Sequence, residues 1–282
     1  MKAGSNGTNE RQRAQADALR QAMSALQQGQ PANAERIAGD ILKTSPGHPD
    51  ATKVLAYALV MLQRPGEAVA PLERAARAGA DPEIETQLAV ALQQTGESDK
   101  ALTWLKRAVK RTPPFLPAFL QLGSLLQALK RPDEAVEVLR QAAAMAPTIP
   151  ELWTQLGFAL TAMNDGAGAV DAFSRALAIN PLFPAAVNGM TTTQMRVGHY
   201  AKAAELFKRV VAAHPNEASA RVGLGICLLE LGDTDAAYAN LRAAVGNGVQ
   251  PHSALKAIVT SSRGRFWLRP SRAAAFLKGE DA

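Results

Sequence analysis

The residues that could do chemistry are few. Cys227 is the sole cysteine and sits among Ile226, Leu228 and Leu229. A thiol becomes a nucleophile when a base or cation lowers its pKa. No histidine is placed near Cys227, so a small core hydrophobe is expected. One cysteine also excludes an intramolecular disulfide framework and a cysteine-based zinc finger. His48, His199, His214 and His252 are scattered, and no HExxH pair exists. We therefore expect no catalytic residues, no metal site, no cofactor and no enzyme. Gly223-Leu224-Gly225 begins like a phosphate-binding loop but lacks a preceding strand, so the glycines read as helix packing. Asn6-Gly7-Thr8 matches a glycosylation acceptor, which has no meaning without a secretory signal.

Basic side chains form the remaining candidate. Lys106, Arg107, Lys110 and Arg111 cluster, with Arg131, Arg140, Lys202, Lys208 and Arg209 further on. They could meet nucleic acid or an acidic partner. No aromatic residues are interleaved to stack on bases, and cations near a helix C-terminus are favoured by the helix dipole. A solvated helix face is the plainer reading. The net charge of +6 comes from the two ends, since residues 15–251 carry 22 Lys+Arg against 22 Asp+Glu. A neutral body argues against a nucleic-acid partner.

The elements that must carry these residues are helices. The chain of 282 residues is 47% hydrophobic and 20% charged, which supports a packed core. Aromatics are only 5%, and Ala and Leu dominate the apolar content. Sheets favour β-branched and aromatic residues instead. The longest apolar run, Val54–Leu62, is too short to cross a bilayer. The first fifteen residues lack the apolar stretch of a secretory signal, so a cytoplasmic protein is expected.

The dominant signal is internal repetition. Number the segment from Pro150 as positions 1 to 34. Trp153 stands at 4, Leu156 at 7, Gly157 at 8, Leu160 at 11, Ala169 at 20, Phe173 at 24, Ala176 at 27 and Pro181 at 32. The frame recurs from residues 15, 49, 82, 116, 150, 184 and 218. Position 20 is alanine in every frame: Ala34, Ala68, Ala101, Ala135, Ala169, Ala203 and Ala237. Position 24 is bulky at Leu72, Leu105, Leu139, Phe173, Phe207 and Leu241. Position 15 is Gly29, Gly96, Gly198 or Gly232 in four frames, where a helix end needs a residue free to take positive φ. Prolines fall at positions 1, 17 and 32, where helices start or stop. Each frame thus predicts two helices, near positions 1–14 and 18–31. Pro71 falls inside the second helix of its frame, where a local distortion at most is expected. Small residues at 8 and 20 let two backbones approach, and large ones fill the space around them. A lone hairpin buries too little surface, so neighbouring units must stack.

This pattern resembles the tetratricopeptide repeat, W-x2-L-G-x2-Y followed by A-x3-F-x2-A and P, over residues 15–251. Leucine replaces the usual Tyr at position 11 in Leu59, Leu92, Leu126, Leu160 and Leu228. Repeat six is degenerate across Met190–Gln194. The resemblance implies an all-α, right-handed superhelical solenoid of about seven helix-turn-helix repeats. First helices would line a concave groove that holds a peptide or helix of a partner protein. A non-enzymatic interaction scaffold follows, the alternative being a substrate-presenting module acting in trans for a sulfotransferase or glycosyltransferase.

In the family, positions 2, 5, 9, 12 and 13 face the groove. Here they offer Lys53, Tyr57, Thr86, Val90, Gln93, Leu120, Ser124, Gln127, Thr154, Phe158, Thr161, Asn188 and Thr192, with Val222, Ile226 and Leu229 in repeat seven. The family's carboxylate-gripping groove uses lysines and asparagines at 5 and 9. Only Lys53 and Asn188 fit that role here, and they lie four repeats apart. Amides and hydroxyls that pair with an extended backbone, with apolar anchors at Tyr57, Leu120 and Phe158, are expected instead.

Residues 1–14 read as a flexible segment. Residues 252–282 read as a cap and a basic-aromatic tail. HSALKAIVTSS continues the helical spacing, and residues 271–278 read as a short capped helix. Phe266, Trp267 and Leu268 among Arg263, Arg265 and Arg269 could dock a partner or fold back onto the array.

Overall fold

A computed structural model describes residues 4–79, 81–260, 275 and 277. Regular structure among the described residues is entirely α-helical. The helices are α1 (Gly4–Gln27), α2 (Pro31–Thr44), α3 (Pro49–Met61), α4 (Pro65–Ala78), α5 (Pro82–Gln94), α6 (Ser98–Ala108), α7 (Leu116–Ala128), α8 (Pro132–Met145), α9 (Pro150–Ala162), α10 (Gly166–Ile179), α11 (Pro184–Arg196), α12 (Tyr200–Ala213), α13 (Ala218–Leu231), α14 (Thr234–Gly246) and α15 (Pro251–Thr260). No helix among them is long and apolar enough to cross a membrane. Helix α1 begins at Gly4, so the stretch expected to be a flexible segment is helical from that residue.

Eight of these helices open on a proline, whose fixed φ and missing N–H suit a first turn. Helix α4 runs unbroken through Pro71. Asp81, Asp165 and Asp233 cap α5, α10 and α14 by accepting first-turn backbone N–H groups. Position 15 has a left-handed backbone in all seven frames. Gly29, Gly96, Gly198 and Gly232 take φ of 71°, 86°, 78° and 89°, and Gln63, Lys130 and Asn164 take 60°, 59° and 61°. The turn demands that geometry whether or not glycine supplies it.

The chain divides into two compact units, Met1–Ala142 and Ala143–Ala282. In the first, each helix from α1 to α7 packs on the next, and α1, α3, α5 and α7 also pack in succession. In the second, α9 to α14 pack in sequence, α9 touches α11, and α15 lies on α13 and α14. The seven position-20 alanines are at most 1% exposed, so each marks a close helix contact. Leu72, Leu105, Leu139, Phe173 and Leu241 at position 24 are fully buried as well.

Leu277 is also buried, in a cluster with Cys227, Leu228, Leu229, Ala254 and Ile258. Leu277 thus packs with side chains of α13 and α15 in the core of the second unit. Phe266, Trp267 and Leu268 lie outside the described residues. Burial pushes the Cys227 thiol up to about 12, which suits a core side chain and not a nucleophile.

Candidate protein-binding groove

In the first unit, α3, α5 and α7 lie side by side and carry eight of the expected groove residues. The Lys53 ammonium is 2.8 Å from Asp81 Oδ2, 2.8 Å from Glu83 Oε2 and 3.9 Å from Asp50 Oδ1. Burial opposes its charge, but hydrogen bonds to Asp81 and Glu83 outweigh that and hold its pKa above the ordinary value. Burial likewise opposes the Asp81 carboxylate, and Lys53 and the Glu83 N–H more than offset it, so its pKa is lowered. Three carboxylates surround one ammonium, and Lys53 is no free cation for an incoming carboxylate. Tyr57 is 47% exposed, and its hydroxyl donates to Glu83 Oε1 at 3.5 Å.

Two cavities flank Tyr57. One, of about 290 Å³, is lined by Val60, Leu72, Thr86, Gln87, Val90 and Phe115 among others. The second, of about 520 Å³, is lined by Leu19, Met23, Leu26, Asp50 and Lys53 among others. Tyr57 and Glu83 line both. Thr86 is buried, and its hydroxyl donates to the Pro82 carbonyl at 2.6 Å, so it is spent within its own helix. Gln93, Leu120, Ser124 and Gln127 are half-buried and line neither cavity.

In the second unit, Thr154 and Thr161 donate to the Pro150 and Gly157 carbonyls, each at 2.8 Å. Their hydroxyls follow the same one-turn back-bonding as Thr86. Phe158 is half-buried and meets Phe173 edge-on, with centroids 5.2 Å apart and planes at 72°. It is a supporting wall of the core before it is an anchor. Asn188 and Thr192 are exposed. Asn188 lines a cavity of about 450 Å³ with Phe207, Val222 and Ile226. Leu229, expected to face a groove, is completely buried in the core.

Sequence reasoning missed two residues of α5. Glu85 is 0% exposed. Its carboxylate accepts Arg111 Nη2 at 2.7 Å and Nε at 3.3 Å, and Arg107 Nε lies 2.9 Å away. Arg107 also lies over the Trp104 ring, 5.0 Å from its centroid, and Lys106 pairs with Glu134 at 3.0 Å. Lys106, Arg107 and Arg111 of the basic cluster are thus each paired with a carboxylate of this chain. Glu85 stands at position 4, where Phe119 and Trp153 stand in other frames. A charge in that apolar row was the available signal. The second residue is Gln87. Both its Nε2 and Oε1 are shut from solvent and have no hydrogen-bond partner among the described residues. An unpaired buried amide atom costs about 1–3 kcal/mol.

Stacked helix pairs, small residues at the crossing points and a row of first helices presenting cavities define a helical-repeat binding fold. Tetratricopeptide repeat models match residues 25–86, 85–107, 116–159 and 192–250. The chain belongs to the tetratricopeptide repeat family. Among solved structures it resembles MamA from Desulfovibrio magneticus RS-1, with 23% identity, 59% of this chain and 94% of that one covered, and a TM-score of 0.53. Pseudomonas aeruginosa PilF superposes with a TM-score of 0.62 at 16% identity, covering 73% of this chain and 94% of that one. A tetratricopeptide repeat protein from Parabacteroides merdae gives 0.61 at 14% identity, covering 87% and 97%. At these identities the likeness concerns fold. No curated protein sequence matches the chain. The family fold is generally that of a non-enzymatic scaffold for protein–protein interaction.

Proposed function

We propose that this chain is a non-enzymatic scaffold that holds a peptide or helix of a partner protein along its first helices. The observation that carries this reading is the exposed Tyr57 ring standing between two cavities on adjacent first helices. Apolar anchors would enter the cavities, and amides such as Gln93 and Gln127 would meet the peptide backbone. Lys53 is neutralised in place, which argues against gripping a terminal carboxylate.

The test is capture of partners by the intact chain against a Tyr57→Glu variant, followed by affinity measurement on the captured protein. Tyr57 is a better site for this change than Phe158, which supports Phe173. The expected result is loss of capture with an unchanged melting temperature. Affinity should vary little between low and high salt, since anchoring is mainly apolar; a steep fall of the kind produced by counter-ion release would overturn the reading.

A further inference from the structure

The 290 Å³ cavity of the first unit has an apolar lining with Glu83 at its edge. Ala56, Val60, Leu72, Val90 and Phe115 supply apolar walls. A cavity of about 150 Å³ already admits benzene, so a leucine or phenylalanine side chain fits this one.

The rim sets the charge of the occupant. Asp50, Asp81 and Glu83 lie within 4.0 Å of Lys53, leaving two negative charges in excess. The neighbouring cavity carries Met23, Leu26 and the exposed Tyr57 beside Asp50 and Glu83. Such a surface suits a long cationic side chain, its stem on the apolar groups and its head near carboxylates and an aromatic face. We propose that this site takes a peptide in which an apolar side chain fills the α3–α5 cavity and a nearby Lys or Arg lies across Tyr57 toward Asp50 and Glu83.

This assignment rests on the groove reading above and names the chemistry of its ligand. It is tested with a library of fluorescein-labelled heptapeptides carrying Leu, Phe or Ser at one position and Lys, Arg or Asp at varied offsets. Binding to the full chain is followed by anisotropy. Selection of Leu or Phe together with Lys or Arg is expected. Asp50→Asn and Glu83→Gln should each erase the preference for Lys or Arg while retaining that for Leu or Phe. If the wild-type chain selects peptides that both variants bind equally well, this pocket assignment fails and the groove reading stands. If the library shows no binding above its Ser/Asp members, both fail.

Discussion

The Phe173 ring lies so close to Gly189 that a Cβ on that glycine would stand 2.3 Å from its Cε1 and Cζ. Gly157 lies against the same ring, with a corresponding distance of 2.6 Å. One aromatic side chain at position 24 thus occupies space released by a glycine at position 8 of its own repeat and one at position 6 of the next. Phe207 and Gly223 repeat the relationship at 2.3 Å. Where position 24 is Leu72 or Leu105, position 6 of the next frame is Gln87 or Gln121 instead. The large residue on one helix and the missing side chain on the next are one feature.

Gly189→Ala should therefore destabilise the second unit by about 1–3 kcal/mol, the usual range for overpacking. Adding Phe173→Leu should recover part of the loss, giving a non-additive double-mutant cycle. Urea unfolding of the two single variants and the double variant checks this. Strictly additive losses would show that the two residues do not share one space.

The left-handed turn residues give a stabilising prediction. Gln63 and Lys130 hold φ near 60°, a region that costs a side-chain-bearing residue about 1–2 kcal/mol. Glycine loses more backbone entropy on folding, so a net gain of about 0.5–1 kcal/mol is expected for Gln63→Gly or Lys130→Gly. Thermal melting should move upward in each variant.

Glu85 should be stable only with its arginines. Removing both Arg107 and Arg111 by substitution to Met strands a fully buried carboxylate. The expected loss is about 3–5 kcal/mol. Replacing Glu85 by Gln in that background should restore most of it, because the stranded charge is gone. Chemical denaturation of the three proteins reads the difference.

The Lys53 constellation sets a pH window. Asp81 is depressed in the folded chain, so its contribution is full above the ordinary carboxylate range, near about 4, and lost as pH falls through its lower folded value. Lys53 is raised, so its contribution is full below its ordinary value, about 10.4, and lost as pH rises through the higher folded one. The melting-temperature difference between the wild type and Lys53→Met should be constant between about pH 5 and pH 9. It should narrow outside that window on both sides.

Helix pairing, the repeat frame and the close-contact alanines were readable from residue order, because all three rest on local spacing and side-chain size. Position 20 is alanine in every frame, and a small residue recurring at that spacing has no local role other than to let another helix approach. The glycines at position 15 likewise announced their φ, and Gln63, Lys130 and Asn164 show that the turn imposes it even on other residues. Polar assignments were not readable in the same way. Thr86, Thr154 and Thr161 have the residue type of groove contacts, yet their hydroxyls close on carbonyls one turn back. Lys53 finds two of its carboxylates about one repeat away, and Glu85 draws in Arg107 from the end of α6 and Arg111 from just beyond it. A hydrogen bond or ion pair depends on positions within a few tenths of an ångström, which only the packed helices establish. Periodicity reports which face a residue occupies; tertiary structure decides whom it meets there, and leaves the Gln87 amide without a hydrogen-bond partner among the described residues.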